Sequence, residues 1–420
     1  MRTIALVDCN SFYCSCERLF DPKIKNKPVV VLSNNDGCAV SRTDEAKALG
    51  IKMGAPFFEF KHFCKTHDLK VFSTNFALYT NISDRVMNTL KKLAPVVEVY
   101  SVDEAFLDLT GIGNIEAYAR MIKDRILQET GIPVGVGVGP TKVLAKAANR
   151  LAKKSKKAQG VVVLMDSKLQ EVGLSRIEIE DVWGIGRANS QKMRALGIKT
   201  GLELRNYKNE VLIQKIFTKV GLSIKHELMG IECFPFNKPV EPKKEIMCSR
   251  TFGGTVDSKN ALKEAIANFI TDAAEKLRAQ NSLCQGIQIF ARTNPFNDSP
   301  QYTMVESKKL LSPTSDTLKL IKIAMKLIDQ GYKEGFSYKK AGARLVDFYN
   351  SHEYQLDFLS DQDSTESRNL MNAIDRINKK EGETILKSGA CGVSNESWRM
   401  NRNHKSPRYT TSWNELKVFK

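Results

Sequence analysis

The chain has 420 residues and a formal charge of +17, with 64 Lys and Arg against 47 Asp and Glu. That length calls for several domains rather than one enlarged core, and so large a cationic excess points to a polyanion, nucleic acid ahead of an anionic membrane. No apolar stretch approaches the roughly 20 residues that span a bilayer, and the run after Met1 is too short for a signal peptide, so an intracellular protein is expected.

Residues 3–8 read as a buried strand ending at Asp8, and Ser11-Phe12-Tyr13-Cys14 starts a helix. A second strand at 27–33 precedes the turn Asn34-Asn35-Asp36-Gly37. Thr43 caps a short helix that Gly50 stops. Residues 78–93 carry helical apolar spacing, 96–109 strand periods, 114–129 a helix and 133–139 a strand. Such alternation predicts a sheet backed by helices.

Lys142, Lys146, Arg150 and Lys153 recur along an amphipathic helix at 141–153, and no acid occurs from 142 through 157. A single positive face for phosphate contact is the stronger reading, a charged solvated surface the weaker. Short helices follow from about residue 165. Among them Gly184-Ile185-Gly186, followed by Arg187 and Lys192, reads as a hairpin between helices whose free backbone N–H groups grip DNA phosphate. The glycine spacing alone suits any tight αα connection, and the basic helix after it favours DNA.

Residues 236–242 form a proline-rich linker. Strands at 246–256, 286–293, 303–309 and 341–348, with helices at 259–279 and 315–330, make an α+β module. Lys308, Lys309, Lys339, Lys340 and Arg344 would give its exposed sheet a positive face. Residues 360–367 are polar and read as flexible, and a helix follows near 368–380. Trp398, Tyr409 and Trp413 lie among the basic residues of the tail, placed either to stack on bases or to fold back on the body.

Two acidic interruptions stand out, Asp8 and Asp103-Glu104, each at the boundary of an apolar β-branched run. Three carboxylates gathered by neighbouring strand ends repel one another, so the site asks for divalent cations. Two Mg2+ ions in such a cluster activate an attacking oxygen and stabilise the leaving one in phosphoryl transfer. The nine cysteines are odd in number, and Cys14-Ser15-Cys16 is one residue too close for a zinc arm. Reduced core thiols are the expectation.

Val7-Asp8-Cys9-Asn10-Ser11-Phe12-Tyr13, Ser33-Asn34-Asn35-Asp36-Gly37-Cys38, Tyr100-Ser101-Val102-Asp103-Glu104-Ala105-Phe106 and Asp181-Val182-Trp183-Gly184-Ile185-Gly186 occur in that order. With Cys248-Ser249-Arg250-Thr251-Phe252-Gly253 and Ser406-Pro407-Arg408-Tyr409, they resemble motifs of the Y-family DNA polymerases. The branch is that of UmuC-type catalytic subunits of bacterial DNA polymerase V, over essentially the whole chain. The resemblance implies a right-hand polymerase, α/β and α+β: palm at 1–33 and 75–165, fingers at 34–74, helical thumb with helix-hairpin-helix at 166–235, and little finger at 243–350. A clamp- and partner-binding region would follow at 351–420.

It further implies error-prone translesion synthesis in the bacterial SOS response. Asp8, Asp103 and Glu104 would be the catalytic carboxylates and, with the Cys9 carbonyl, would hold two Mg2+ ions, for which Mn2+ could substitute. Tyr13 matches the steric gate against a ribose 2′-hydroxyl. Asp44, Lys47 and Lys153 fall at the family's positions near the triphosphate, although many relatives outside the UmuC branch carry tyrosine and arginine where this chain has Asp44 and Lys47, and Arg42 would supply the missing charge. Gln355, Leu356, Phe358 and Leu359 resemble a peptide for the beta sliding clamp, with the order of the last two departing from the usual pattern. Primer-template DNA, deoxyribonucleoside triphosphates, a UmuD-like processed dimer and RecA are the implied partners. The implied location is the bacterial cytoplasm, at the nucleoid during DNA damage. A non-catalytic DNA-damage adaptor would need neither the three acids nor Tyr13, and a nucleotide cyclase leaves the hairpin unexplained.

Overall fold

Runs rich in Val and Ile supply the strands, and the computed structural model describes residues 2–236, 241–351, 363–381, 385–392, 398 and 400–416. The chain folds into two units, Met1–Pro239 with Asn403–Lys420, and Val240–Arg402. In the first unit β1 (Ile4–Cys9), α1 (Phe12–Leu19), β2 (Val29–Leu32) and β3 (Ala39–Arg42) come first. Then follow α2 (Asp44–Ala48), α3 (Phe57–Phe60), α4 (Phe63–Thr66), β4 (Lys70–Ser73) and α5 (Phe76–Leu93). β5 (Val96–Val99), β6 (Glu104–Asp108), α6 (Ile115–Thr130), β7 (Val134–Gly139), α7 (Lys142–Lys154) and β8 (Val161–Val163) complete the sheet region. α8 (Ser167–Ser175), α9 (Arg187–Ala195), α10 (Gly201–Asn206) and α11 (Glu210–Leu228) form the helical set.

The main sheet has the order β5-β6-β1-β7-β8, and β2 lies between β3 and β4 in a second sheet. In the main sheet only β7 and β8 run parallel. The stretch 96–109 is thus two antiparallel strands, and the turn between them carries Asp103.

β7 decides where the helices sit. Its sequence alternates valine and glycine, so Val134, Val136 and Val138 share one face and Gly135, Gly137 and Gly139 the other. The valines join Leu78, Ile82 and Val86 of α5 and Ile122 and Ile126 of α6 in one apolar core. On the glycine face α7 comes close: a Cβ added to Gly137 would lie 2.0 Å from Asn149 N and 2.4 Å from Ala145 O. Only hydrogen fits in that gap, so the glycines fix the depth at which α7 packs.

The second unit contains β9 (Ile246–Val256), α12 (Lys259–Ala279), β10 (Ser282–Thr293), β11 (Thr303–Thr314), α13 (Thr317–Gly331), β12 (Tyr338–Asn350) and α14 (Thr365–Glu381). Its antiparallel sheet has the order β11-β10-β12-β9, with α12 and α13 packed on one face. Of the stretch 360–367 expected to be flexible, the described residues from Asp363 onward are instead anchored. That carboxylate is 7% exposed and accepts from Thr314 Oγ1 at 2.7 Å and Ser315 N at 3.0 Å, which sets the start of α14. Trp398 and Cys391 enter this unit's core. Among the described residues no helix is long and apolar enough to cross a membrane.

Gly137→Ala should cost about 3 kcal/mol or more, because the clash is with backbone that cannot rotate away. Gly113→Ala, with nothing within 4 Å of the added carbon, is the neutral control. Thermal unfolding of the two purified variants checks this: a large fall in Tm for Gly137→Ala only.

Candidate active site

β1 is the middle strand, and its end brings the acids together. Asp8 stands directly opposite Glu104 of β6 and Gly135 of β7 in register. Asp103 precedes β6, and its carbonyl accepts from Cys9 N at 2.8 Å. Its carboxylate accepts from Ser101 Oγ at 2.6 Å, which fixes the turn. The three carboxylates thus share one edge of the sheet. Burial pushes the Asp8 carboxyl up to about 6; the Lys153 ammonium pulls it back, and the charges of Glu104 and Asp103 add to the rise.

The charges facing these acids come from α7. Lys153 Nζ pairs with Asp8 Oδ1, and Lys146 Nζ lies 2.7 Å from Glu104 Oε2. Lys142, 5% exposed, pairs with Glu98 Oε1 at 2.6 Å. Lys142, Lys146 and Lys153 recur at i, i+4 and i+11, one row of the helix. Arg150 and Lys154 form another row and both reach Asp181, at 2.6 and 2.7 Å. The single phosphate-binding face expected for this helix is therefore replaced by two rows neutralised by acids from elsewhere in the chain. Among the described residues no three His, Cys, Asp or Glu side chains lie close enough to hold a metal ion together.

Tyr13 occupies the first turn of α1, half-buried, and both its burial and the charge of Asp103 raise its hydroxyl pKa. Tyr79 of α5 stacks on it with centroids 4.5 Å apart, and Phe76 meets it edge-on. Phe12, on the same helix as Tyr13, is buried in the core. Arg42 donates to Ile51 O at 2.6 Å, and Lys47 pairs with Asp44 at 2.7 Å. Both cations therefore face groups of the 34–74 segment rather than the carboxylates.

The hairpin differs in its first arm, a three-residue 3₁₀ turn at Ile179–Asp181 in place of a helix. Gly184 has φ +86°, and a Cβ there would lie 2.5 Å from Ile224 Cδ1. Gly186 caps α9 without a side-chain hydrogen bond, and Arg187 and Lys192 are exposed beyond it. In the second unit Lys309, Lys340 and Arg344 share the sheet face away from α12 and α13 by register, joined by Arg292. Lys308 points to the opposite face, because neighbours on a strand alternate. Lys339 departs as well: its ammonium donates to Gly253 O at 3.1 Å and Gly254 O at 3.3 Å. The clamp-like residues Gln355, Leu356, Phe358 and Leu359 lie outside the described residues.

The sequence reading missed Tyr79, Glu17 and the pairing of Lys146 with Glu104. Helical spacing signals two of these, since Glu17 lies one turn after Tyr13 and Lys146 two turns before Lys153 on one row, whereas nothing local marks Tyr79.

Residues 7–150 match the impB/mucB/samB family, residues 243–358 its C-terminal domain, and residues 368–418 a domain of unknown function, DUF4113. The solved structure of a Y-family DNA polymerase chimera, Dbh-Dpo4(243-245)-Dbh, superposes with a TM-score of 0.63 at 25% identity, covering 82% of this chain and 98% of that one. The fold is thus that of a Y-family DNA polymerase. Protein UmuC of Salmonella typhimurium is 41% identical over 98% of this chain and 99% of its own length. Protein SamB of the same organism is 40% identical over 99% of each. The chain belongs to the impB/mucB/samB family, in its UmuC-type branch.

Glu17, one turn after Tyr13, is 2% exposed, and burial pushes its carboxyl up to about 7, against the pull of Tyr79 and Ser406 hydroxyls. A native pKa above the unfolded value means the folded state holds the proton more tightly. The stability this gives is complete below about pH 4.5 and is lost as pH rises to about 7, roughly 3 kcal/mol in all. Glu17→Gln should flatten that slope. Tm measured from pH 4.5 to 8 checks it, with the parent falling more than the variant.

Proposed function

We propose that the chain is an error-prone translesion DNA polymerase that extends a primer 3′ end with deoxyribonucleotides opposite damaged template, within a bacterial SOS response. The observation that carries the reading is the register pair Asp8–Glu104, with Asp103 next in sequence and its carbonyl bonded to Cys9 N. Residues 1–33 and 75–165 then serve as palm, 34–74 as fingers, 166–235 as thumb and 243–350 as little finger.

The donor set suits hard divalent cations: three carboxylates and the Cys9 carbonyl, all oxygen. Glu104 Oε2 is buried and lacks a hydrogen-bond partner among the described residues, so its only compensation is the Lys146 charge. Asp8, Asp103, Glu104 and the Cys9 carbonyl, with the carboxylates released from Lys146 and Lys153 and drawn closer together than they stand here, would hold two Mg2+ ions, or Mn2+ in their place. When bound, these supply a more acidic primer 3′-hydroxyl and charge neutralisation at the pyrophosphate leaving group. Until then Lys146 and Lys153 balance the acids. Lys153, released from Asp8, offers its ammonium to the triphosphate, with Lys47 and Arg42 as further cations on the fingers. Tyr13 rejects a ribose 2′-hydroxyl by overlap, held in place by the Tyr79 stack.

Gly184, Gly186, Arg187 and Lys192 would meet DNA phosphate through exposed N–H groups and charge. Lys309, Arg292 and Lys340 offer a second positive surface, with Arg344 beside them already paired with Glu245, and Lys339 supports it from the β9 backbone. The beta clamp, through Gln355, Leu356, Phe358 and Leu359, together with a UmuD-like dimer and RecA, completes the proposed assembly at the nucleoid.

Asp103→Ala should lower primer extension with Mg2+ roughly 100- to 1,000-fold, with primer-template affinity retained. An adaptor would bind DNA and extend nothing in either form. Lys153→Ala should raise the nucleotide KM and lower kcat/KM on the order of 10-fold, as for a lost charge-assisted contact. Steady-state kinetics with unchanged KM and kcat would remove Lys153 from the triphosphate site.

A further inference from the structure

α1 carries Tyr13 and Glu17 at i and i+4, one face of one turn. Tyr79 spans both: its ring stacks on Tyr13 at 14° from parallel, and its hydroxyl donates to Glu17 Oε1 at 2.7 Å. The same oxygen accepts from Ser406 Oγ at 3.0 Å. A residue from the far end of the chain therefore closes the cluster behind the Tyr13 ring.

Ser406 is gripped from several sides. Asn75, the N-cap of α5, donates Nδ2 to Ser406 Oγ and O, both at 3.0 Å, and to Pro407 O at 3.2 Å. Ser73 N donates to His404 O, and His404 N donates to Ser73 Oγ, both at 2.9 Å. Asn403 N donates to Asp36 Oδ2 at 2.8 Å. Tyr409 stacks on Phe20, the C-cap of α1, with centroids 4.6 Å apart. Glu17, Asn75, Tyr79 and Ser406 are all 5% exposed or less. A tail resting loosely on the surface would leave these polar groups to water, whereas here each is desolvated and depends on its partner.

We propose that residues 403–416, part of the match to a domain of unknown function, are a strap that positions the Tyr13 ring, Ser406 acting through Glu17 and Tyr79. This rests on reading Tyr13 as the sugar gate and extends it, because discrimination between deoxyribose and ribose then depends on the C-terminal segment. Glu17 Oε2 has no hydrogen-bond partner among the described residues, so Oε1 alone ties the carboxyl to Tyr79 and Ser406. Removing the Ser406 hydroxyl frees the Glu17 side chain, then the Tyr79 hydroxyl, then the stacked ring. Ser406, Glu17 and Tyr79 are positioning residues, and none of them is placed at the reacting atoms.

The test uses the full chain on primed template DNA, with kcat/KM for deoxyribo- and ribonucleotides compared in parent, Ser406→Ala, Ser406→Thr and Tyr13→Ala. Ser406→Ala should lower the ratio about 3- to 10-fold, as for one lost buried hydrogen bond. Ser406→Thr, which keeps the hydroxyl, should restore it, and Ser406→Ala should add nothing in a Tyr13→Ala background. An unchanged ratio in folded Ser406→Ala, where Tyr13→Ala does change it, overturns the strap. If Tyr13→Ala leaves the ratio unchanged, the gate reading fails instead. The strap is then decided by the fluorine resonance of 3-fluorotyrosine placed at position 13 by nonsense suppression. A resonance that moves in Ser406→Ala and returns in Ser406→Thr sustains positioning; one that stays fixed overturns it.

Discussion

The close packing of α7 against the glycine face of β7 is the constraint on which the site depends. Gly137 leaves no room for a methyl group beneath Asn149 and Ala145, so the helix axis is pressed toward the sheet. At that depth the lysine stems of α7 reach past the strand edge, and their ammonium groups arrive at Asp8 and Glu104. A side chain on the glycine face would lift the helix and separate the charges. Valines on the other face of the same strand anchor it in the core with α5 and α6, so one strand serves both packing and site.

Charge compensation follows from that geometry. Acids at the end of β1 and β6 are desolvated, and a desolvated carboxylate needs an opposing charge close by. The lysines supply it, with Lys146 further held between the rings of Tyr100 and Trp183, 4.5 and 5.1 Å from their centroids. Much of the positive charge on α7 is therefore matched inside its own unit. The cations open to a polyanion lie elsewhere, on the exposed start of α9 and on the uncovered sheet face with Arg292 and Lys340.

The last part of the chain is divided. Asp363, Cys391 and Trp398 belong to the second unit, whereas residues 403–416 return to the first. The return is made by polar contacts in buried positions, and it ends beside the helix that carries Tyr13. Trp413, 89% exposed, is left for solvent or a partner.

Strand and helix periods were legible for the longer elements, because the apolar spacing of β1, α5, α6, α12 and α13 is a local property of the residues, whereas the short β3, α3, α4, β4 and β8 span too few residues to show a period. The positions of the three acids were legible too, each marked by a break in such a pattern, whereas Tyr13 was marked by the family resemblance alone. Local spacing does not record which distant charge faces which. Glu98, Glu104 and Asp181 are remote in sequence from Lys142, Lys146 and Arg150, and only folding brings them within 2.6 to 2.7 Å. The same holds for Lys308 and Lys339, whose directions follow from register and a neighbouring strand's carbonyls, and for Ser406, whose partner lies 389 positions away. The order of residues determined the elements and the ends where acids stand; the three-dimensional packing decided the pairs, because a desolvated charge takes its partner from whatever the fold brings near.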